Sequence, residues 1–233
     1  MKKKIEIAIA ISVAVVIIIL LAVGFNLSVR FSYQKSQTLW QDFLSRSGVY
    51  KPDTNANKQI VFLGDSITFQ EDWGVLFGTH EIYNAGISGN TTEDILGRLP
   101  DAISGHPQKL FLMIGINDLI RGEDVPYVFA NYEKIVSEIR AKSPDTKIFL
   151  ESVLPMDNAI AVQRFGTVDK QKIIDLNEKI KSLADGSNLI YIDLYPHFCG
   201  ADDVLYAKFG KDGLHLNSHG YAVWKDAIMQ YVK

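Results

Sequence analysis

The sequence predicts a three-layer α/β domain built on five parallel strands. Short segments that are apolar on both faces recur along the chain, as expected for strands buried in a parallel sheet. Helical patterns separate them, and in one of these Tyr132, Ile135, Val136 and Ile139 line a single helix face. This alternation is typical of helices packed against both faces of a sheet. The predicted strands are Gln59–Leu63, Glu81–Asn84, Lys109–Ile114, Lys147–Leu154 and Asn188–Asp193, and the predicted helices are Glu93–Ile103, Tyr127–Lys142, Val168–Ala184 and Ser218–Val232.

The overall composition is that of a globular domain, and it excludes several kinds of function. Of the 233 residues, 47% are hydrophobic and 22% are charged, unlike a disordered chain. The net charge of −3 and the lack of a basic stripe argue against a nucleic-acid partner. No glycine fingerprint of a nucleotide-binding loop occurs, so no cofactor is predicted. The single cysteine, Cys199, is predicted to be a buried free thiol.

The N-terminus predicts export from the cytoplasm. Lys2, Lys3 and Lys4 precede a 19-residue apolar run from Ile7 to Phe25, which as a helix would span roughly 28 Å, about the thickness of the bilayer core. We therefore expect residues 1–28 to form a cytoplasmic lysine cluster and a single-pass transmembrane signal anchor, and residues 29–57 a juxtamembrane linker. The alternative is a secreted protein whose signal peptide is cleaved near Ala22-Val23-Gly24. The lysines favour a cytoplasmic N-terminus, so both alternatives place the remainder outside the cytoplasm.

Polar segments that contain glycine follow several of the predicted strands. Gly64-Asp65-Ser66-Ile67-Thr68 follows the first strand, a segment from Asn84 to Thr92 follows the second, and Gly115-Ile116-Asn117-Asp118 follows the third. The last strand leads on to Asp212-Gly213-Leu214-His215. The carboxyl ends of parallel strands meet at one edge of a sheet, where ligands bind in such folds. We expect these four loops to converge there.

In order and spacing, these four segments resemble the four sequence blocks of the SGNH hydrolase superfamily, also called GDSL esterases and lipases. The resemblance covers Lys58 to Lys233 and predicts an SGNH hydrolase domain over residues 58–233. It implies a flavodoxin-like sheet of five parallel strands and the activity of a serine ester hydrolase. Position by position, it assigns the functional residues as Ser66 (nucleophile), Gly89, Asn117, Asp212 and His215.

The chemistry of acyl transfer suggests a role for each of these residues. The Ser66 hydroxyl needs a base, which His215 would supply, while Asp212 would hold the imidazole in the correct tautomer. The backbone N–H groups of Ser66 and Gly89 and the side-chain amide of Asn117 would form the oxyanion hole. Any one of these motifs alone is an ordinary turn signal. The prediction of an active site depends on their joint occurrence.

Three further residues are predicted to support the site. Asp65 and Asp118 are expected to hydrogen-bond to loop backbone rather than to react, and Asn84 is expected to shape the second loop. His215 and His219 have a spacing seen in metal-binding helices, but the motif lacks its glutamate, and no metal site is predicted.

The predicted substrate is a small-molecule or glycan ester. We expect a short acyl group, acetyl above all, on a carbohydrate or cell-envelope glycan. A lipid esterase such as a lysophospholipase is the alternative within the same class, because an anchored domain would face the membrane. Two functions of different classes also fit the sequence: an acyltransferase using the same triad, and a non-catalytic envelope-binding module.

Overall fold

The computed structural model describes residues 60–233. The predicted transmembrane helix and the juxtamembrane linker lie outside these residues. Within residues 60–233, no helix is both long enough and apolar enough to cross a bilayer.

The domain is built on a five-stranded sheet in which all strands are parallel, as predicted. The strand order is β2-β1-β3-β4-β5. Since β2 lies on one side of β1 and β3 on the other, the strand order reverses at β1, and ligands bind at such a reversal in open α/β sheets. The strands are β1 (Ile60–Gly64), β2 (Ile82–Gly86), β3 (Lys109–Met113), β4 (Lys147–Glu151) and β5 (Leu189–Ile192).

Helices connect the strands and follow the last of them. The described helices are α1 (Ser66–Phe69), α2 (Trp73–Phe77), α3 (Thr92–Ala102), α4 (Ile116–Ile120), α5 (Val125–Lys142), α6 (Asn158–Phe165), α7 (Lys170–Ser182), α8 (Tyr195–Phe198) and α9 (Ser218–Val232). Helix α5 packs between α3 and α7. The connection from β1 to β2 runs across the sheet in one direction, and all later connections run in the other. Because such connections are right-handed, α3, α5 and α7 lie on the face opposite α1 and α2.

One face of the sheet carries a row of aromatic rings. Phe62, Phe111 and Phe149 lie in register on β1, β3 and β4, and their neighbouring ring centroids are 4.7 and 4.5 Å apart. Trp73 of α2 stacks on Phe62 at 4.3 Å, and Tyr231 of α9 contacts Phe149 at 5.3 Å. The row therefore ties the C-terminal helix to the centre of the sheet, where burying each ring stabilises the fold by roughly 1.5–3 kcal/mol.

Strand β4 is shorter than predicted because of a side chain from a distant segment. Strand β4 ends at Glu151 instead of Leu154, because the side chain of Asn177 bonds both the N–H and the C=O of Val153, at 2.8 and 2.9 Å. Helix α9 is capped by Asn217, whose side chain accepts from two backbone N–H groups of the first turn. Ser218 is therefore the first helical residue, and the predicted helix Ser218–Val232 has the observed bounds.

Glu151, at the end of β4, is a buried acid. The residue is only 1% exposed, and its Oε1 accepts a 2.7 Å hydrogen bond from the indole N–H of Trp224. Burial raises the pKa of Glu151 to about 8, against the lowering effect of that bond. The folded protein therefore holds a proton on Glu151 at neutral pH that the unfolded chain releases.

Replacing Glu151 with glutamine is expected to change how stability depends on pH. Between the ordinary glutamate pKa of 4.5 and about 8, the folded wild type binds one proton more than the unfolded chain. This acid alone therefore lowers the free energy of unfolding as pH rises, by up to about 1.4 kcal/mol per pH unit. Glutamine stays neutral, so the Tm of Glu151→Gln minus that of the wild type should increase from pH 5 to 8. A Tm difference that stays constant from pH 5 to 8 would contradict the raised pKa of Glu151. The control is Glu178→Gln, at an exposed position of α7, for which the Tm difference from the wild type should not change with pH.

Candidate active site

Ser66 stands at the carboxyl end of β1, as the first residue of α1. The strand passes into the helix through Gly64, where space is too tight for a side chain. A Cβ there would lie 2.2 Å from Thr68 Oγ1 and 2.5 Å from the carbonyl oxygen of Met113. Glycine therefore allows the sharp strand-to-helix turn that presents Ser66.

The predicted triad residues are joined by hydrogen bonds. Ser66 Oγ lies 2.9 Å from His215 Nε2, and His215 Nδ1 lies 2.9 Å from Asp212 Oδ2. Ser66 and His215 are each 8% exposed, so the bond between them is largely sheltered from water. The structure thus brings together a hydroxyl, an imidazole and a carboxylate in the order that nucleophilic catalysis requires.

The turn that carries Asp212 and His215 is held by hydrogen bonds between its own residues. Asp212 Oδ1 accepts hydrogen bonds from the backbone N–H groups of His215 at 2.8 Å and Leu214 at 3.2 Å. Partial burial alone would raise the pKa of Asp212, but the bonds from the His215 backbone and ring outweigh it and lower the pKa. Asp212 is therefore ionised across the neutral range and favours a proton on the facing Nδ1 of His215.

Helix α6 packs against this turn. Gly213 has a φ of +83°, and a Cβ on it would lie 2.6 Å from the carbonyl oxygen of Asp157. The Asp157 N–H donates to the Gly213 carbonyl at 2.8 Å. At the other end of α6, the Phe165 ring meets the His215 ring edge-on, with centroids 5.2 Å apart. The helix therefore contacts the imidazole and its supporting turn.

Gly89 and Asn117 come together in the neighbouring loops. Gly89 follows β2 and adopts a φ of +78°, which favours glycine. Asn117, in α4, donates through Nδ2 to the carbonyl of Asn90 at 2.9 Å and lies 3.4 Å from Asp65 Oδ2. Both Nδ2 hydrogens of Asn117 therefore have acceptors, and the bond to Asp65 is the longer of the two. The predicted oxyanion donors thus belong to one hydrogen-bonded unit.

Asp65 and Asp118 each accept hydrogen bonds from backbone N–H groups at the start of a helix. Asp65 Oδ1 accepts from the Ile67 N–H at 2.9 Å and so caps α1. Asp118 accepts from the Thr92 N–H and hydroxyl at the start of α3. Burial raises the pKa of Asp65 to about 7 and that of Asp118 to about 6, against the lowering effect of these bonds.

Asn84 hydrogen-bonds two segments, its own and the one that follows Ser66. Its Nδ2 donates to the carbonyls of Thr68, Phe69 and Glu71, the last at 2.8 Å. Its Oδ1 accepts a hydrogen bond from the Gly86 N–H at the end of β2. Asn84 therefore also holds the segment that follows Ser66, because its amide reaches α1 and the residues after it.

Two arginines at the site were missed by the sequence interpretation. Arg98, a residue 6% exposed, donates to the Gly64 carbonyl and to Asn90 Oδ1, at 3.0 and 2.7 Å. Arg121 donates to the Gly89 carbonyl at 2.6 Å. A signal existed for the second, because Arg121 lies four positions after Asn117, one helical turn, but Gly115–Asp118 was interpreted as a loop.

Comparison with known proteins identifies the family. Residues 62–223 match the model of the GDSL-like Lipase/Acylhydrolase family. Acetylxylan esterase of Geobacillus stearothermophilus is 24% identical over 156 residues, which cover 65% of this chain and 71% of that protein. A GDSL-like lipase from Bacteroides thetaiotaomicron has a solved structure that is 26% identical with a TM-score of 0.70, covering 83% of this chain and 96% of that one.

A third relative is longer than this chain. N-acylneuraminate cytidylyltransferase of Escherichia coli is 25% identical over 228 residues, which cover 90% of this chain. The chain spans about half, 49%, of the length of that protein. The family match alone covers more than half of the present chain, so the predicted class, a serine ester hydrolase, is confirmed. The chain belongs to the GDSL-like lipase/acylhydrolase family.

Proposed function

We propose that this protein is an exported, membrane-anchored esterase that removes short acyl groups, acetyl above all, from carbohydrate or cell-envelope esters. The observation that carries the proposal is the connected series Ser66 Oγ, His215 and Asp212, with both hydrogen bonds at 2.9 Å. The similarity to an acetylxylan esterase supports the acetyl and carbohydrate preference. The apolar run after the N-terminal lysines supports export and anchoring.

The reaction begins at Ser66. His215 Nε2 takes the hydroxyl proton as Oγ attacks the ester carbonyl, and Asp212 stabilises the imidazolium that forms. The tetrahedral oxyanion accepts hydrogen bonds from the N–H groups of Ser66 and Gly89 and from the Asn117 Nδ2 hydrogen that otherwise makes the long, 3.4 Å bond to Asp65. As the first residue of α1, Ser66 has an N–H that the helix's own ladder does not use.

The tetrahedral intermediate collapses in the second half of the cycle. His215 returns its proton to the leaving alcohol, and an acyl-Ser66 ester remains. Water, deprotonated by the same imidazole, then attacks the acyl group and releases the acid. Because one base serves both halves, the position of His215 against Phe165 and the Asp212 turn governs both steps.

A rate series across acyl length tests the substrate proposal. Hydrolysis of p-nitrophenyl esters of two to twelve carbons should be fastest for acetate and fall with chain length, and acetylated xylan should release acetate. Faster hydrolysis of the long esters and of lysophosphatidylcholine would contradict the proposal and favour a lipid esterase, which the likeness to a GDSL-like lipase supports. Adding a glycan acceptor and measuring product partition separates hydrolysis from acyl transfer.

Anchoring and catalysis are tested separately. Carbonate washing of cell membranes should leave the full chain in the pellet; a catalytic domain wholly in the soluble fraction would contradict the anchor. A fluorophosphonate probe should label the purified protein at Ser66. Absence of labelling would contradict the esterase proposal and favour a non-catalytic binding module.

A further inference from the structure

Arg121 connects the helix that carries Asn117 to the loop that carries Gly89. It is the C-cap residue of α4, and its Nη2 donates to the Gly89 carbonyl oxygen at 2.6 Å. Its Nη1 lies 4.0 Å from Asp94 Oδ2, at the start of α3. The guanidinium thus contacts the glycine loop on one side and α3 on the other.

Arg121 and Asn117 act on consecutive carbonyls. The two side chains are four positions apart, so they project from the same side of α4. Arg121 binds the carbonyl of Gly89, while Asn117 binds that of Asn90 at 2.9 Å. The α4 segment therefore binds two successive carbonyl groups, those of Gly89 and Asn90, which directly follow the Gly89 N–H in the chain.

Gly89 needs such an external restraint. A glycine with a φ of +78° has no Cβ to limit its backbone, and it loses more conformational freedom on ordering than any other residue. Preorganised donors stabilise an oxyanion because they need no reorientation during the reaction. A rotation of the peptide units around Gly89 would turn its N–H away from the position of the developing charge.

We propose that Arg121 is a positioning residue that keeps the Gly89 N–H aligned with the oxyanion through its bond to the Gly89 carbonyl. This inference rests on the proposed esterase function. Because the guanidinium acts on the substrate only through the Gly89 N–H, its effect should be confined to states in which that N–H binds the oxyanion. Ground-state substrate binding should change little.

The test measures kcat and KM of Arg121→Ala with p-nitrophenyl acetate. We expect kcat to fall roughly 10- to 100-fold, less than the 10²–10³-fold typical of deleting an oxyanion donor itself. KM should stay within about twofold, as for an interaction made only in the transition state. Arg121→Lys, which keeps the charge and one donated hydrogen bond without the planar fork, should lie between Arg121→Ala and the wild type.

Fluorophosphonate labelling distinguishes positioning from loss of folded protein. The Arg121→Ala protein should be labelled to the same final extent as the wild type but more slowly, because attack on phosphorus places a comparable negative charge in the hole. A partly unfolded variant would instead show a lower final extent. Arg140→Ala is the matched control, since Arg140 is an exposed helical arginine that pairs with Asp185.

The outcomes that overturn the inference are specific. An Arg121→Ala protein with wild-type kcat, or one whose loss lies entirely in KM, would exclude a positioning role. The defect should also persist at high salt, because salt screens interactions between exposed charges beyond about 10 Å at 0.1 M, and beyond shorter distances at higher salt, but does not restore a displaced donor. The wild-type protein is assayed before any variant. If it hydrolyses no ester and takes no label, the proposed function itself is contradicted.

Discussion

Replacing Ser66 with alanine is expected to lower kcat by on the order of 10⁴- to 10⁶-fold. The variant keeps the oxyanion donors but lacks the atom that lies 2.9 Å from His215 Nε2 and forms the acyl intermediate. The residual rate above water should come from substrate binding and the oxyanion hole alone. Initial rates with p-nitrophenyl acetate at equal, folded protein concentrations measure the effect.

Ser104→Ala is the matched control for this substitution. Ser104 lies in a surface turn, where its hydroxyl donates to the Asp101 carbonyl, and its removal should leave kcat unchanged. A Ser66→Ala protein with wild-type activity would show that another residue is the nucleophile. Mass spectrometry of the fluorophosphonate adduct would then identify that residue.

Replacing Asp212 with asparagine is expected to lower kcat by about 10⁴-fold. Asparagine can keep its oxygen on the N–H groups of Leu214 and His215, which preserves the turn. Its NH₂ group then replaces the oxygen that faces His215 Nδ1. Two donors cannot face each other, so the imidazole shifts its proton to Nε2 and can no longer accept one from Ser66.

The Asp212→Asn protein separates orientation of the base from folding of the turn. Its Tm should stay close to that of the wild type, and Asp226→Asn, in an exposed part of α9, should change neither Tm nor kcat. A protein with unchanged kcat would contradict the role of Asp212. In that case the imidazole tautomer would have to be set by another contact of His215.

Most of the sheet was predictable because its strands are buried on both faces. Phe62, Leu112 and Leu150, for example, are 0% exposed, and continuous apolar segments of this kind are found in parallel strands. The proposed triad residues were assigned by the resemblance of their segments to the SGNH family, and these segments could be recognised because Asp212 and His215 share one turn and Ser66 lies two positions after β1. These features are local in sequence and need no knowledge of the packing.

The missed features depend on contacts between distant segments. Helices α4 and α6 have five and eight residues, too few for a clear helical period. Without α4, nothing in the sequence places Arg121 beside Gly89, and without α6 nothing places Phe165 beside His215. Strand β4 also ended early because of Asn177, which lies 24 positions further along the chain than Val153.

The distance in sequence between nucleophile and base has a consequence for when activity arises. Ser66 and His215 are 149 positions apart, and the base arrives on the segment that ends in α9, whose Tyr231 packs on the aromatic row. A chain emerging N-terminus first folds its early parts before the last segment is available. In the proposed mechanism the hydroxyl therefore stays unactivated until the segment that carries His215 has folded, so a nascent chain without this segment could not attack esters.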